Sequence, residues 1–173
     1  MTEPPRKLDQ LDVLLIKALT ENPRAGFLEL SRITGVSRAT VQSRVQRLET
    51  SGVITGYGPD VDLPAAGYPV LAFVSLQIAQ GDLAQIATEL TRIPDVLEAY
   101  GTTGGSDVLC RVAATSHEGL QRTLLRINEI PAVVRSTSVM ALSEVVAPRY
   151  VPLLEAVERP RPTRVRKSTI DSS

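Results

Sequence analysis

Residues 35–52 read GVSRATVQSRVQRLETSG, a run bracketed by two glycines. Val41, Val45 and Leu48 recur at i, i+4 and i+7, which is the spacing of a single apolar stripe along a helix. Ser37 is a good N-cap, because its hydroxyl can accept a backbone N–H of the first turn, and Gly52 is a natural stop. The same helical wheel turns Ala39, Gln42, Ser43, Gln46 and Arg47 outward, with Thr40 and Arg44 flanking and Arg38 in the first turn. No acidic side chain precedes Glu49.

Upstream, LDQLDVLLIKALTENP places Leu8, Leu11, Leu15, Ala18 and Leu19 at helical spacing, with Asp9 as N-cap and Asn22-Pro23 as terminator. GFLELSRITG predicts a short helix between Gly26 and Gly35, with Leu30 and Ile33 inward. Only Val36 and Ser37 then separate Gly35 from the next helix. So tight a link forces a steep crossing, as in a helix-turn-helix. VITGYG, residues 53–58, predicts a short strand that would make the unit winged. Residues 1–58 thus form a predicted first domain, and the Pro- and Gly-rich stretch from Pro59 to Pro69 a hinge.

The outward face of the third helix combines donors that can bridge base edges, small residues that permit close approach, and cations for phosphates. Those are the requirements of a recognition helix in a DNA major groove. Arg38, Gln42 and Ser43 are the candidates for reading bases, and Arg44 and Arg47 for holding phosphates. Ser37, Ala39, Thr40 and Gln46 complete the candidate double-stranded DNA contact set. The competing reading is an ordinary solvated face, since Arg and Gln are good helix formers. Charge is zero overall but uneven: 8 Lys/Arg against 6 Asp/Glu over 1–58, 6 against 10 over 59–154, and 5 against 3 over 155–173. A basic front end on an acidic body fits a front end that meets an anion.

A second segment repeats itself. IPDV at 93–96 and IPAV at 130–133 lie 37 residues apart, and Leu90 matches Ile127 at the same offset. Each copy reads strand, helix, Ile-Pro turn, strand. Two such βαβ halves predict a ferredoxin-like sheet over 70–154 with helices on one face. Val70, Ala72, Val74, Leu76 and Ile78 point one way along its first strand, Leu71 and Phe73 the other. The second face is half apolar, and a second copy of the chain is the simplest cover, so a homodimer through the sheet is expected. The fold class is therefore α+β. The last stretch, residues 155–173 ending in ERPRPTRVRKSTIDSS, lacks apolar periodicity and is expected to be a disordered basic tail, functionless or in nonspecific contact with phosphates.

Chemistry of other kinds finds little support. The lone Cys110 precludes an internal disulfide, suits a reducing compartment, and lies in an apolar run that predicts an inert buried thiol. One Cys and one His, His117, give no credible zinc site or Cys–His pair within one chain. No metal or cofactor is expected. The start lacks the apolar core of a signal peptide and no run reaches membrane-spanning length, so a cytoplasmic protein without membrane contact is expected.

TTGGSD, residues 102–107, could cradle a phosphate, turn a hairpin, or hold a small zwitterion. It leads into a strand and has no Lys, so the phosphate-loop reading fails; turn and zwitterion site remain. Here a resemblance joins the argument. LDQLDVLLIKAL, Arg24 with Glu29-Leu30, VSRATVQSRVQRLETSGVITGY, and the βαββαβ segment with its TGGSD loop are similar to the Lrp/AsnC (leucine-responsive, feast/famine) family of transcription regulators, over roughly 8–147. The resemblance implies a winged helix-turn-helix joined by a hinge to a ligand-sensing RAM-type domain. It also implies dimers that commonly assemble into octamers, and amino-acid effectors held between subunits. In that light the loop is the family's Thr-Gly-x-x-Asp effector loop, matched by Thr103, Gly104 and Asp107. Ser138 falls where the family often has a Thr, with Tyr100 and Ser136 as neighbours. Gly105 and Ser106 depart from the family, which usually carries an acidic or polar residue and an aromatic there. The alternative is an enzyme: tetrapyrrole (heme-pathway) decarboxylases share the architecture but rely on His and Arg, and this chain has one His. A sensor without DNA binding is a third reading.

Overall fold

Asp9 opens the first helix, α1 (Gln10–Glu21), through a reciprocal cap. Its carboxylate accepts from the Asp12 N–H at 2.9 Å, while the Asp12 carboxylate accepts from the Asp9 N–H at 3.2 Å. The computed structural model describes residues 8–79 and 83–156. Asn22 caps α1 at its C-terminus, where the sequence placed the stop. α2 (Phe27–Thr34) runs between Gly26 and Gly35. Gly35 has φ of 71°, a left-handed conformation that a Cβ disfavours, and this reversal lets α3 (Arg38–Thr50) begin three residues later. The Ser37 hydroxyl accepts from the Thr40 N–H at 3.1 Å, the expected cap.

Leu15, Ala18, Leu30, Val41 and Val45 form the buried centre of this three-helix unit, with Leu11, Leu19, Ala25 and Val36 packed around it. Ile33, expected inward beside Leu30, is 44% exposed. Three residues on, the helix has rotated it some 60° from the direction of Leu30, to the rim of the packed face. The expected strand at 53–58 is not formed. The N–H groups of Val53 and Ile54 donate to the Leu48 carbonyl at 2.9 and 3.1 Å, so the chain closes the end of α3 with the groups a ladder would use. Among the described residues no other strand lies in this unit to pair with it.

The described residues divide into two compact units, 8–58 with 147–156, and a second one within 59–146. The short helix α6 (Val151–Ala156) therefore belongs with α1–α3, whereas the sequence carried the sheet domain through to 154. Its Glu155 accepts from the Lys17 ammonium of α1 at 3.0 Å. Of the predicted tail, Glu155 and Ala156 end α6, and residues 157–173 lie outside the described set.

In the second unit, β1 (Val70–Ile78), α4 (Leu83–Thr91), β2 (Val96–Gly101), β3 (Val108–Ala114), α5 (His117–Asn128) and β4 (Val133–Ala141) follow in order. The sheet order is β2-β3-β1-β4, antiparallel throughout, which is the ferredoxin-like arrangement. Ala72, Val74 and Leu76 of β1, with Val108, Cys110 and Val112 of β3, are buried beneath Ile86 and Leu90 of α4 and Leu120 and Ile127 of α5. The repeat is physical: Ile93 and Ile130 are both buried, and each carbonyl accepts from the N–H three residues on, Val96 at 3.0 Å and Val133 at 2.9 Å. No helix among the described residues is long and apolar enough to cross a membrane.

Candidate functional site

α3 presents two different sides. Val41, Val45 and Leu48 are buried, and Ser37, Arg38, Ala39, Gln42, Ser43 and Gln46 are exposed along the opposite side. Thr40 is half-buried, its hydroxyl 2.9 Å from that of Ser37. The exposed strip is uncharged apart from Arg38, and its amides and hydroxyls can each donate and accept. A duplex groove could accept such a surface without electrostatic penalty.

Arg44 and Arg47 are placed otherwise than the sequence suggested. Arg47 donates to both carboxylate oxygens of Asp12, at 2.6 and 2.7 Å. Arg44 donates to Asp12 at 3.2 Å and to Asp9 through a second, shorter contact. Both guanidiniums turn toward α1, and the Asp12 side chain beneath them is 4% exposed. The Arg44 hydrogen bond, with the Asp12 N–H and nearby cations, holds the Asp9 carboxyl below its ordinary value. In the sequence Asp9 reads as a cap alone, and Asp12 stands out for no role. The signal was available: Asp9 and Asp12 are spaced i, i+3 on α1, and Arg44 and Arg47 are spaced i, i+3 on α3, opposite charges in matching register.

In the second unit the loop 102–107 joins β2 to β3, as predicted. Gly104 has φ of 111°, which a side chain would strain. Asp107 extends the ladder on both sides: its N–H donates to the Leu76 carbonyl at 2.8 Å, and its own carbonyl accepts from Thr102 at 2.9 Å. One carboxylate oxygen accepts from the Ile78 N–H at 2.8 Å, where the β1–β4 register shifts. Gln77 donates to the Gly105 carbonyl at 2.9 Å, and the Thr102 hydroxyl to that of Ser106 at 2.8 Å. The loop is thus braced from within, with Thr103, Gly104 and the Asp107 side chain exposed at the sheet end. An exposed carboxylate there can receive an ammonium group.

The other effector candidates do not converge on this loop within one chain. Tyr100 opposes Leu109 on β2 and donates to Glu98 at 2.8 Å, on the sheet face away from the helices. Ser136 and Ser138 oppose Leu76 and Val74 on β4, hence on the helix-bearing face. β2 and β4 are opposite edges of the sheet, roughly 14 Å apart at ordinary strand spacing. The face bearing Tyr100 also carries Phe73, 41% exposed, and Val139, 65% exposed, and the Arg111–Glu98 ion pair at 2.6 Å. Cys110 lies on the other side, and burial pushes its thiol up to about 11.

Comparison with known proteins agrees with this organisation. Residues 8–49 match the AsnC-type helix-turn-helix domain, and residues 71–151 match the Lrp/AsnC ligand binding domain. The HTH-type transcriptional regulator FL11 of Pyrococcus horikoshii is 33% identical over 135 residues, covering 78% of this chain and 89% of the relative. Regulatory protein AsnC of Escherichia coli K12 is 32% identical over 136 residues, covering 77% and 88%. The solved structure of E. coli AsnC superposes with a TM-score of 0.77 at 29% identity, over 84% of this chain and 99% of that one. A feast or famine regulatory protein from M. tuberculosis, solved in complex with L-methionine, superposes with a TM-score of 0.75 at 32% identity, over 83% and 97%.

Proposed function

The chain belongs to the Lrp/AsnC family of transcriptional regulators, and we propose that it reads its operator with Arg38, Gln42 and Ser43 of α3. It is a DNA-binding regulator modulated by a small effector and not an enzyme, as its relatives are regulators built on the same two domains. The observation that carries the base-reading assignment is the exposed, nearly uncharged strip opposite the buried Val41–Val45–Leu48 stripe. Ser37, Ala39, Thr40 and Gln46 line the approach. Arg44 and Arg47 act chiefly through α1, holding the strip at a fixed angle, with any phosphate contact secondary to their carboxylate partners.

The effector is an amino acid, the class of ligand bound by the M. tuberculosis relative. Asp107 takes its ammonium group, and backbone N–H groups around Gly104 take its carboxylate. Tyr100, Ser136 and Ser138 join the site only if a second copy supplies an edge, because one chain keeps them on opposite faces. That supports a pocket between subunits, in a homodimer formed through the face of Phe73 and Val139, with higher assemblies built from it. Reduced exposure of apolar surface favours such pairing.

The test is selection of bound duplexes from a randomised pool by the wild-type chain and by Arg38→Ala, Gln42→Ala and Ser43→Ala. Each substitution at a base-reading position should relax preference at one site position and cost about 1–3 kcal/mol there. Recovery of an unchanged sequence preference by all three variants would remove α3 from base reading.

A further inference from the structure

We propose that Glu49 is a further base-reading residue of α3, its carboxylate held by Tyr57 so that it accepts from the N4 amino group of a cytosine at one end of the bound site. The inference deepens the proposed function and rests on α3 lying in the groove. Three observations carry it. The first is alignment. At about 100° per residue, Arg38, Gln42 and Glu49 fall within about 40° of one another around the α3 axis, and Gln46 within about 40° more. These exposed side chains form one row of cation, two amides and acid. Arg44 and Arg47 leave the helix on another side, toward Asp9 and Asp12 of α1.

The second is shape. Glu49 lies eleven positions beyond Arg38. That is a rise of about 16 Å, or roughly five base-pair steps. A straight helix meets the floor of a major groove at its middle and departs from it at both ends, because the groove winds around the duplex. Long side chains at the ends and a short one between them suit that path, and Arg38 and Glu49 flank Ser43. The third is the way the carboxylate is held. The Tyr57 hydroxyl donates to one Glu49 oxygen at 2.7 Å, which leaves the other free to accept. Burial first and the Glu49 carboxylate second push Tyr57 up to about 12, so the phenol keeps its proton and stays a donor at physiological pH. Among the described residues no cation lies within ion-pair distance of Glu49. An unpaired acid in a groove lined by phosphates costs affinity for duplexes in general, and recovers it where a base presents an amino group. Cytosine presents only its N4 donor there, whereas adenine sets the N7 acceptor, which repels a carboxylate, beside its N6 donor.

The experiment selects bound duplexes from a randomised pool with the full wild-type chain, Glu49→Gln, Tyr57→Phe and, as a control for α3, Arg38→Ala. Wild type should enrich cytosine about three base pairs from the position that Gln42 reads, since the helix rises about 10 Å between the two side chains. Glu49→Gln should move that position toward adenine, which a glutamine amide meets through N6 and N7, and should lower cytosine discrimination at least about fivefold. It should also bind random-sequence duplex about two- to fivefold more tightly, with a slope of log K against log salt steeper by up to about one unit. Tyr57→Phe should keep the preference for cytosine but weaken it about two- to tenfold, the cost of ordering a freed side chain. Both positions are exposed, and glutamine keeps an oxygen for the Tyr57 hydroxyl, so urea midpoints should stay close to that of wild type. An unchanged preference in Glu49→Gln, with Arg38→Ala losing its own position, overturns the assignment and leaves α3 in the groove. Tighter binding by Glu49→Gln without any change of base reduces Glu49 to a repulsive charge and overturns it equally. Full cytosine preference in Tyr57→Phe overturns the part given to Tyr57. Unchanged preferences in all three variants overturn the α3 reading and Glu49 together.

Discussion

Arg47 of α3 donates to both carboxylate oxygens of Asp12 on α1, at 2.6 and 2.7 Å, and the Asp12 side chain is 4% exposed against 35% for Arg47. The same carboxylate caps the N-terminus of α1 and accepts from Arg44 at 3.2 Å. One buried group thus fixes where α1 starts and how α3 crosses it. The asymmetry in exposure decides which partner is costlier to lose. Without Asp12, the Arg47 guanidinium can rehydrate; without Arg47, a buried carboxylate loses its main partner.

Arg47→Ala should therefore destabilise the chain by about 2 kcal/mol or more, and Asp12→Ala by less than a full buried-pair loss of about 3–5 kcal/mol. A double-mutant cycle followed by urea denaturation should give a coupling of about 1–3 kcal/mol. On DNA, Arg47→Ala should weaken binding while leaving the salt slope within about half a unit of wild type, because what changes is the angle of α3. A slope reduced by about one unit would instead make Arg47 a phosphate ligand.

Acid should loosen the same junction. Asp9 is held below its ordinary value by the hydrogen bond from Arg44 first and by the Asp12 N–H second. A carboxyl lowered in the folded state contributes stability that is fully present above its unfolded value and is lost as pH falls through the folded one. The midpoint of urea unfolding should thus decline on acidification below about pH 4, and Asp9→Asn should flatten that decline. An Asp9→Asn variant whose acid limb matches wild type would show that the pair with Arg44 does not persist in solution.

Much of this architecture is legible in one dimension because periodicity and caps are local. Val41, Val45 and Leu48, the Ser37 cap, the Gly35 reversal and the Ile-Pro turns at 93 and 130 all depend on residues within a few positions of each other. The misreadings involve distance or partnership. The Arg44 and Arg47 pairs span 32 to 35 residues and depend on a crossing angle that no local spacing encodes. VITGYG has strand composition, but a strand exists only with a partner, and here its leading N–H groups close a helix. Val151–Ala156 resembles the end of the sheet domain in sequence, yet Lys17 and Glu155 tie it to α1. Resemblance sets Ser136 and Ser138 with Tyr100 in a site between subunits, and register adds what the sequence could not, that within one chain they face opposite ways.

Cys110 should behave as a core residue. Burial pushes its thiol up to about 11, and its side chain lies under α4 and α5 with no measurable exposure. The thiolate is the reactive form, so alkylation by iodoacetamide at pH 8 should be negligible in the folded chain and rapid in denaturant. Measured by mass spectrometry, the native labelling rate then reports opening of the sheet unit. Rapid labelling without denaturant would mean that β3 is not covered as described.

Asp107 braces β1 and is the residue proposed to receive an effector's ammonium group, and one substitution can distinguish the two. Its carboxylate accepts from the Ile78 N–H at 2.8 Å, where β1 shifts register against β4, so Asp107→Ala should strand that donor and cost about 1 kcal/mol. Asp107→Asn keeps an oxygen that can accept the same hydrogen bond, and its melting temperature should stay close to that of wild type. What asparagine removes is the negative charge an ammonium group would meet. If the loop holds an amino acid, a panel of amino acids should raise the melting temperature of the wild-type chain for at least one member, and Asp107→Asn should lose that rise without losing basal stability. A retained rise in Asp107→Asn would confine the residue to bracing β1. The loop backbone around Gly104, where φ is 111°, would then be the place to seek the contact, through Gly104→Ala.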